Sequence, residues 1–254
     1  MMKTQKSGWV SIDQNLLKWI AVISMAVDHT GMVLFPQIIG MRLIGRLAFP
    51  IYCYLLVKGF IHTRSRSRYM GRMAVFALLS ELPFDLACYG TFSWEGQSVF
   101  LTLLLSLGML SVLEVVLTEQ SVHRPLRLCG AAAVVLGAGM LTFVCSCDYS
   151  FSAPFLVAGL YVYETGSRTG IRIMRYPVYS FLIFFVTMYV GWLMNGLTSE
   201  QAYAGVILEA YCLPAAWLIR FCNGTRKKTG GKYFFYAFYP LHLLLLYVLG
   251  RLYF

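Results

Sequence analysis

The sequence has little charge and none of the motifs that mark common soluble enzymes. Only 13% of its 254 residues are charged, whereas 59% are hydrophobic. It contains no phosphate-binding P-loop, no glycine fingerprint of a dinucleotide-binding fold, no internal repeat and no low-complexity linker. A mean hydropathy of +0.67 excludes a water-soluble globular domain. We therefore predict one membrane domain that occupies residues 1–254.

Two further site classes are not supported by the sequence. The 7 cysteines and 4 histidines have no spacing that matches a structural zinc site, so no metal is predicted. The net charge of +10 would suit a nucleic acid. The basic residues, however, fall at the ends of apolar runs, as membrane insertion requires, and we predict no nucleic-acid partner.

Apolar runs of about 20 residues recur along the chain, with short polar connections between them. A helix of this length crosses a hydrocarbon core of about 30 Å. The sequence therefore predicts an all-α, polytopic membrane protein, a single bundle of about nine transmembrane helices, with a range of eight to ten. The predicted spans are 16–36, 42–61, 70–89, 98–118, 126–145, 150–165, 176–196, 202–221 and 233–251.

Lysine and arginine are concentrated in alternate connections. The connections around 90–97, 146–149 and 195–201 contain none. Because basic residues stay in the cytoplasm, this pattern predicts a multi-pass membrane protein with its N-terminus inside and its C-terminus outside. The predicted inside residues are Lys3, Lys6, Lys18, Arg64, Arg66, Arg68, Arg72, Arg124, Arg127, Arg168, Arg172, Arg175, Arg220, Arg226, Lys227, Lys228 and Lys232.

Several ionisable side chains lie within the predicted spans, where each costs about 2.5 kcal/mol or more. They are Asp28 and His29 in the first span, Arg42 and Arg46 in the second, Glu81 and Asp85 in the third, Glu209 in the eighth and His242 in the ninth. The first six are expected in the outer half of the membrane, around one cavity. The two arginines share a helical face, as do the two acids of the third span, so we expect these pairs to neutralise each other. The network either holds the bundle together or partly binds an acceptor substrate.

His29 is the strongest catalytic candidate, because imidazole accepts and returns a proton near neutral pH. Neighbouring residues of a helix point about 100° apart, so we expect Asp28 to meet an arginine of the second span. Lys18 lies 11 residues before His29, on nearly the same helical face and about 16 Å away along the axis. This stripe is able to hold both ends of a long anionic ligand such as coenzyme A. Lys18 alternatively anchors the helix end by reaching the interface.

The last span places His242 near the middle of the membrane, with Tyr239 less than one turn away. The residue types allow two interpretations. His242 either packs within the bundle or belongs to the same site as His29.

Several runs of the sequence resemble the TraX family, in order along most of the chain. They are Leu17 to Ala21, Met25 to Gly31, Arg42 to Ile51, Gly59-Phe60, Ser80 to Asp85, Asn223-Gly224, Lys232 to Tyr236 and Tyr239 to His242. The region from about 100 to 200 contributes little. The resemblance implies an acyltransferase of the bacterial cytoplasmic membrane, since TraX proteins are known for acetylating the N-terminus of a conjugative pilin and resemble the acyltransferase-3 group.

The resemblance also implies a donor and a set of site residues. The acyltransferase-3 group has a basic residue, ten intervening residues and a histidine in its first helix, and Lys18 and His29 fit this spacing with Lys in place of Arg. The expected co-substrate is acetyl-CoA, which enters from the cytoplasm, while the acceptor is met towards the outside. The acceptor is a pilin N-terminus, a surface glycan, a peptide or a small molecule.

We accordingly predict direct acetyl transfer to an amine or hydroxyl, with His29 as base and Asp28 beside it. Arg46 or His242 is expected to stabilise the oxyanion. Lys18, Arg64, Arg66 and Arg68 are predicted to bind CoA phosphates, and Arg42, Glu81, Asp85 and Tyr239 to bind the acceptor. Two other functions remain open: a transporter or channel with a buried charged pathway, and a non-catalytic pilus or surface-polymer assembly factor.

Overall fold

The computed structural model describes residues 12–169, 176–225 and 233–253, and it is helical over most of them. Within these ranges extended pairing occurs only as two isolated bridges, so the predicted all-α class is confirmed there. The helices are α1 (Gln14–Val33), α2 (Ile39–Gly45), α3 (Ala48–His62), α4 (Arg66–Tyr89), α5 (Val99–Thr118), α6 (Arg124–Val144), α7 (Ala153–Thr169), α8 (Val178–Met194), α9 (Ser199–Glu209), α10 (Leu213–Arg220) and α11 (Phe234–Tyr253).

Local sequence signals set several helix ends. The side chain of Asp13 accepts a hydrogen bond of 2.7 Å from the backbone N–H of Leu16 and so caps α1. A capping box between Thr198 and Gln201 begins α9. At the end of α4, Gly90 has φ +75°, a left-handed conformation that glycine adopts without a steric cost.

The helix α3 forms the centre of the bundle. Its side chains Ile51, Cys53, Tyr54, Val57 and Phe60 are almost completely buried. The neighbours of α3 in the bundle are α1, α5, α7 and α10. On the other side of α1, the helix α11 packs against both α1 and α4. A helix that is apolar all round is expected at such a central position.

The bundle has two ends, which backbone contacts define. At the near end, where α1 begins, the N–H of Ile12 donates to the carbonyl of Phe221, and Asn223 donates back to Ile12. At the far end, the connection before α5 meets the one after α6, because Gln97 donates to Ser146 and Asp148 donates to Gln97. Each end is therefore held together by connections from distant parts of the sequence.

The outer surface of the bundle is apolar. Leu78, Val115, Val186 and Leu241 are each more than half exposed. Such a surface suits contact with lipid rather than with water. Six helical segments are long and apolar enough to cross a membrane, by length and composition, and the chain is a multi-pass membrane protein. They are Gln14–Val33, Ile39–His62, Val99–Thr118, Arg124–Val144, Ser199–Arg220 and Phe234–Tyr253.

The predicted number of nine spans is not confirmed. The segment α4 has 24 residues, but it carries Arg66, Arg68, Arg72, Glu81 and Asp85. The helices α7 and α8 have 17 residues each, or about 25 Å of helix, which is at the lower limit for crossing a bilayer. All three are part of the bundle, since α4 packs against α5 and α11, and α7 packs against α3 and α8.

Two spans that the sequence predicts as continuous are interrupted. The second is divided into α2 and α3 by a turn at Arg46 and Leu47. The eighth is divided into α9 and α10 by a short 3-10 turn that follows Glu209. Interrupted helices occur within membranes where the irregular backbone is enclosed by protein.

The orientation in the membrane remains a prediction. Many of the basic residues behind it lie outside the described residues, namely Lys3, Lys6, Arg172, Arg175, Arg226, Lys227, Lys228 and Lys232. The side chain of Arg168 is likewise outside the described part of the chain.

Candidate active site

The two histidines within the membrane helices meet. Nδ1 of His29 in α1 lies 2.7 Å from Nε2 of His242 in α11, and the two rings stack with centroids 4.9 Å apart. The other nitrogen of His242, Nδ1, lies 2.8 Å from the carbonyl oxygen of Phe238. The structure thus places His242 directly beside His29.

The hydrogen-bond partners determine which nitrogens carry protons. A carbonyl oxygen only accepts, so Nδ1 of His242 donates to Phe238 and its Nε2 is the acceptor when the ring is neutral. Nδ1 of His29 therefore donates to His242. This arrangement leaves Nε2 of His29 with a free lone pair, which is the form that a general base requires.

Tyr239 connects the histidine pair to a large cavity. Its ring is 3% exposed and makes edge contacts with His29 and His242, at centroid distances of 5.8 Å and 5.7 Å. The same ring lines a cavity of about 1000 Å³. The inner end of this cavity is thus one aromatic ring away from the proposed base.

The cavity has a basic, polar outer part at the near end of the bundle and an apolar inner part deeper in the bundle. The polar residues that line it are Gln14, Asn15, Lys18, Lys58, His62, Thr63, Arg64 and Arg72, with Gly224 beside them. The inner part is lined by Met25, Tyr52, Leu55, Leu56, Met73, Val99, Phe100, Leu103, Tyr236 and Tyr239. No aspartate or glutamate of the described ranges lines the cavity.

The predicted CoA-binding residues are divided by the structure. Lys18 lines the cavity, with Nζ 5.4 Å from the ring centroid of Phe235 in α11, and so contacts the same helix as His29. Arg64 also lines the cavity. Arg66 instead pairs with Glu114 and covers the ring of Phe60. Arg68 is exposed in the first turn of α4 and is not among the lining residues.

Three basic lining residues were missed by the sequence reasoning. Lys58, His62 and Arg72 all contribute to the cavity wall. The sequence feature that could have identified them is a spacing of about one helical turn, which places Lys58 and His62 on one face of α3 and Arg68 and Arg72 on one face of α4. It was obscured because the positive-inside rule accounts for basic residues at this end without any site.

Lys58 is held by an acid of α7. Its Nζ lies 2.8 Å from Oε2 of Glu164, and the hydroxyl of Tyr54 donates to Oε1 of the same carboxylate at 2.9 Å. Tyr54 and Lys58 lie in α3, and Glu164 lies in α7, which packs against α3. This pair neutralises an ammonium group in the cavity wall.

Asp28 binds the arginines of the second span, as predicted. Oδ2 of Asp28 accepts a hydrogen bond of 2.6 Å from Nη1 of Arg42, and Nη2 of Arg46 lies 3.8 Å from its Oδ1. Arg46 also pairs with Glu209. Both Arg46 and Glu209 lie where a helix is interrupted, so the ion pair joins the breaks of two discontinuous helices.

The close approach of α1 and α2 depends on a glycine. A Cβ atom at Gly45 would overlap the carboxylate of Asp28. Gly40, in the same helix α2, has open space around it. Glycine at position 45 therefore allows the backbone of α2 to lie against Asp28, which brings Arg42 and Arg46 to the same acid.

The expected neutralisation of Arg42 and Arg46 by the acids of α4 was wrong. Both oxygens of Glu81 accept from the backbone N–H of Ser98, at 3.2 Å and 3.3 Å, at the N-terminus of α5. Oδ2 of Asp85 accepts from the N–H of Ser93 at 3.2 Å. A carboxylate is favourable at a helix N-terminus, as for Glu81. Both acids thus bind the 90–98 connection, whereas Arg42 and Arg46 pair with Asp28 in α1 and Glu209 in α9.

A strained turn at the far end adds groups that the sequence reasoning missed. Ser146, Tyr149 and Ser150 have positive φ angles of 50°, 56° and 36°. The ring of Tyr149 stacks on Phe49 with centroids 3.6 Å apart. Removal of its carboxyl group from water raises the pKa of Asp148 to about 6, and the guanidinium of Arg46 partly opposes this rise. Positive φ at non-glycine residues often accompanies functional sites.

Comparisons with known proteins identify relatives over almost the whole chain. The family model described as TraX protein matches residues 13–250. A protein of Dichelobacter nodosus, named probable fimbrial assembly protein FimC of serogroup H1, is 27% identical over 249 residues, which is 91% of this chain and 92% of that protein. The uncharacterized protein RP591 of Rickettsia prowazekii is 51% identical over 41 residues, 16% of each chain.

No solved structure matches the chain. The match to the family model includes every predicted site residue, from Lys18 to His242. Because this match covers far more than half of the sequence, the chain belongs to the TraX family.

Proposed function

We propose that this chain is a membrane-embedded acyltransferase that moves an acetyl group from acetyl-CoA to an acceptor amine or hydroxyl. Membership of the TraX family supports this class of reaction. The observation that carries the proposal is the hydrogen-bonded chain from His29 through His242 to the carbonyl of Phe238, one ring from the inner end of the basic cavity.

The cavity suits the shape and charge of the acetyl donor. CoA carries phosphates at one end and a thioester at the tip of a long pantetheine arm. Lys18, Arg64 and Arg72 in the outer part of the cavity provide positive charge for the phosphates. The apolar inner part encloses the arm and leads to Tyr239, so the thioester arrives beside the histidine pair.

In the proposed step, Nε2 of His29 removes a proton from the acceptor while the acceptor nitrogen or oxygen attacks the acetyl carbonyl carbon. The bond from this carbon to sulfur then breaks, and CoA leaves as the thiolate. His29 gives its extra proton to solvent or to the thiolate. Because Nδ1 of His29 donates to His242, the positive charge on the imidazolium is shared with a second ring and with Phe238.

His242 acts here as a positioning residue rather than as the predicted oxyanion donor, because both of its ring nitrogens already have partners. Arg46 is engaged by Asp28 and Glu209. Arg42 contacts Asp28 through Nη1 and is 33% exposed, so its Nη2 and Nε remain for the developing oxyanion. We therefore assign oxyanion stabilisation first to Arg42, with Arg46 beside it.

The two ends of the bundle suit different substrates. We propose that the near end faces the cytoplasm and admits acetyl-CoA, whereas the acceptor reaches His29 from the far end, past Asp28 and Arg42. The relative from Dichelobacter nodosus is named for fimbrial assembly. A pilin or another surface component is accordingly the acceptor that we would examine first.

The test uses membrane vesicles from a strain that carries the chain and from its deletion mutant. Labelled acetyl-CoA is supplied to the cytoplasmic face, and the label is then measured in protein, glycan, peptide and small-molecule fractions. We expect transfer with the wild-type chain and its loss with His29→Ala. His123→Ala, which alters an exposed histidine at the start of α6, is the matched control and should retain transfer. Normal transfer by a folded His29→Ala protein would refute the mechanism.

The fimbrial name of the relative favours a second function, that of an assembly factor without catalytic activity. In that case the wild-type protein and the His29→Ala variant would support assembly of the surface structure equally well. Neither protein would transfer label in the vesicle experiment. A transporter would instead move a solute across the vesicle membrane without any chemical change.

A further inference from the structure

Arg72 lines the cavity and, among the described residues, has no carboxylate within ion-pair distance. It lines the cavity wall from the second turn of α4. Its Nε is buried and has no hydrogen-bond partner among the described residues. Arg66, six residues earlier, is bound by Glu114, and Lys58 across the cavity is bound by Glu164.

An unsatisfied donor beside a cavity needs acceptor atoms, which a ligand or water can provide. A buried N–H without a partner destabilises the protein, and more so on a charged group, unless a ligand or water satisfies it. The guanidinium carbon of Arg72 lies 5.7 Å from the ring centroid of Tyr69, and this contact restricts the side chain to the cavity wall. No carboxylate lines the described part of the cavity, so no negative charge there repels an entering anion.

The chemistry of the cavity specifies a phosphate group attached to a long, mostly uncharged arm. Guanidinium binds phosphate through two parallel hydrogen bonds, which the ammonium of Lys18 cannot make. Beyond Arg72 the wall becomes aromatic, since Phe100, Tyr236 and Tyr239 line it. Phe76, one turn further along α4, supports this wall by stacking on Tyr236 at 5.1 Å. Tyr236 in turn lies three residues before Tyr239, beside the histidine pair.

We propose that Arg72 binds a phosphate group of the acetyl donor and makes the enzyme selective for a phosphorylated thioester over a phosphate-free one. The inference rests on the proposed function, because it takes the cavity as the donor site. It assigns to α4 the two-pronged phosphate contact that lysine at position 18 is unable to provide. A phospholipid headgroup has the same chemistry and is the competing source of the phosphate.

The test measures binding to the purified full-length protein in detergent by isothermal titration. The ligands are CoA, 3′-dephospho-CoA, 4′-phosphopantetheine and pantetheine, and the proteins are wild type, Arg72→Lys and Arg124→Lys. Arg124 is an exposed arginine in the first turn of α6, so its variant controls for a change of cation type. Arg72→Lys keeps the charge and removes the planar fork, which limits effects on folding.

We expect Arg72→Lys to weaken CoA binding about tenfold, equivalent to about 1.4 kcal/mol, and to leave pantetheine binding unchanged. The ligand at which the difference between the two proteins disappears identifies the phosphate that Arg72 contacts. Arg124→Lys should match wild type for all four ligands.

Equal weakening for all four ligands, or no weakening for any, would overturn the assignment of Arg72 and leave the proposed function intact. Loss of co-purified phospholipid from Arg72→Lys, measured by native mass spectrometry, with unchanged CoA affinity would also overturn it, in favour of a lipid headgroup. A wild-type protein that binds none of the four ligands would instead refute the proposed function together with this inference.

Discussion

Nδ1 of His29 lies 2.7 Å from Nε2 of His242, although 213 positions separate the two residues in the chain. The contact gives each histidine a defined protonation pattern, because His242 is itself fixed by the carbonyl of Phe238. A base whose second nitrogen is held in this way keeps one orientation and one tautomer. The arrangement resembles the relation between base and orienting group in hydrolytic triads, with a neutral ring in place of a carboxylate.

The first prediction concerns this orienting role. Replacing His242 with Ala should lower kcat for acetyl transfer about 10²- to 10³-fold, because His29 loses its partner at Nδ1. The KM for acetyl-CoA should remain the same, since His242 does not line the donor cavity. His242→Gln keeps an oxygen that accepts from His29 and should recover part of the rate. Steady-state kinetics in proteoliposomes measure both parameters.

A rise in the KM of His242→Ala with unchanged kcat would contradict the orienting role. Equal activity of the Ala and Gln variants would show that the acceptor at this position is unimportant. Circular dichroism and size-exclusion profiles of each variant establish that the bundle is folded before rates are compared.

The second prediction concerns the contact between α1 and α2. Gly45→Ala should destabilise the protein by about 2 kcal/mol or more, because the added Cβ would overlap the carboxylate of Asp28. Gly40→Ala, in the same helix, has room for the methyl group and should be neutral or stabilising by up to about 1 kcal/mol. Thermal unfolding in detergent compares the two. Similar unfolding temperatures for both variants would mean that α1 and α2 do not approach as described.

The third prediction concerns the pair between Lys58 and Glu164. Glu164→Gln should cost about 1–3 kcal/mol of stability, because it leaves an ammonium group within the bundle without its counter-charge. The double variant Lys58→Met with Glu164→Leu removes both charges and should recover much of this loss. Additive destabilisation in the double variant would show that the two residues are not coupled.

The fourth prediction concerns the number of crossings. An odd number places the two termini on opposite sides of the membrane, whereas the six segments that satisfy length and composition would place them on the same side. With nine crossings, alkaline phosphatase fused after Phe254 should be active and green fluorescent protein at the same position should be dark. The reverse result would place the C-terminus in the cytoplasm and refute the predicted orientation. With the N-terminus inside, it would mean that one of α4, α7 and α8 lies within the bundle without crossing.

Much of the architecture was predictable from the sequence. Composition and run length indicate a helical membrane bundle, because a backbone in lipid must satisfy its own hydrogen bonds. The period of the α-helix places Lys18 and His29 on one face, and both contact α11 in the structure. The cost of a buried charge predicts that Asp28 meets an arginine, and it binds Arg42.

Other features depend on contacts that no local pattern specifies. Glu81 and Asp85 are negatively charged and four residues apart, which would match the spacing of Arg42 and Arg46. In the structure they instead bind backbone N–H groups of the 90–98 connection. Arg46 instead binds Glu209, which lies 163 positions later in the chain, and it also lies near Asp28.

The sequence by itself determined that this protein is a bundle of membrane helices with polar residues in its first, second and last spans, because hydrophobicity and helical period are properties of neighbouring residues. Only the tertiary structure decided that His242 lies against His29 and that Arg72, rather than Arg66 or Arg68, lines the cavity. The physical reason is that side-chain partners in a bundle are chosen by how helices distant in the chain pack against each other. Packing also determines which of several similar charges is left without a protein partner.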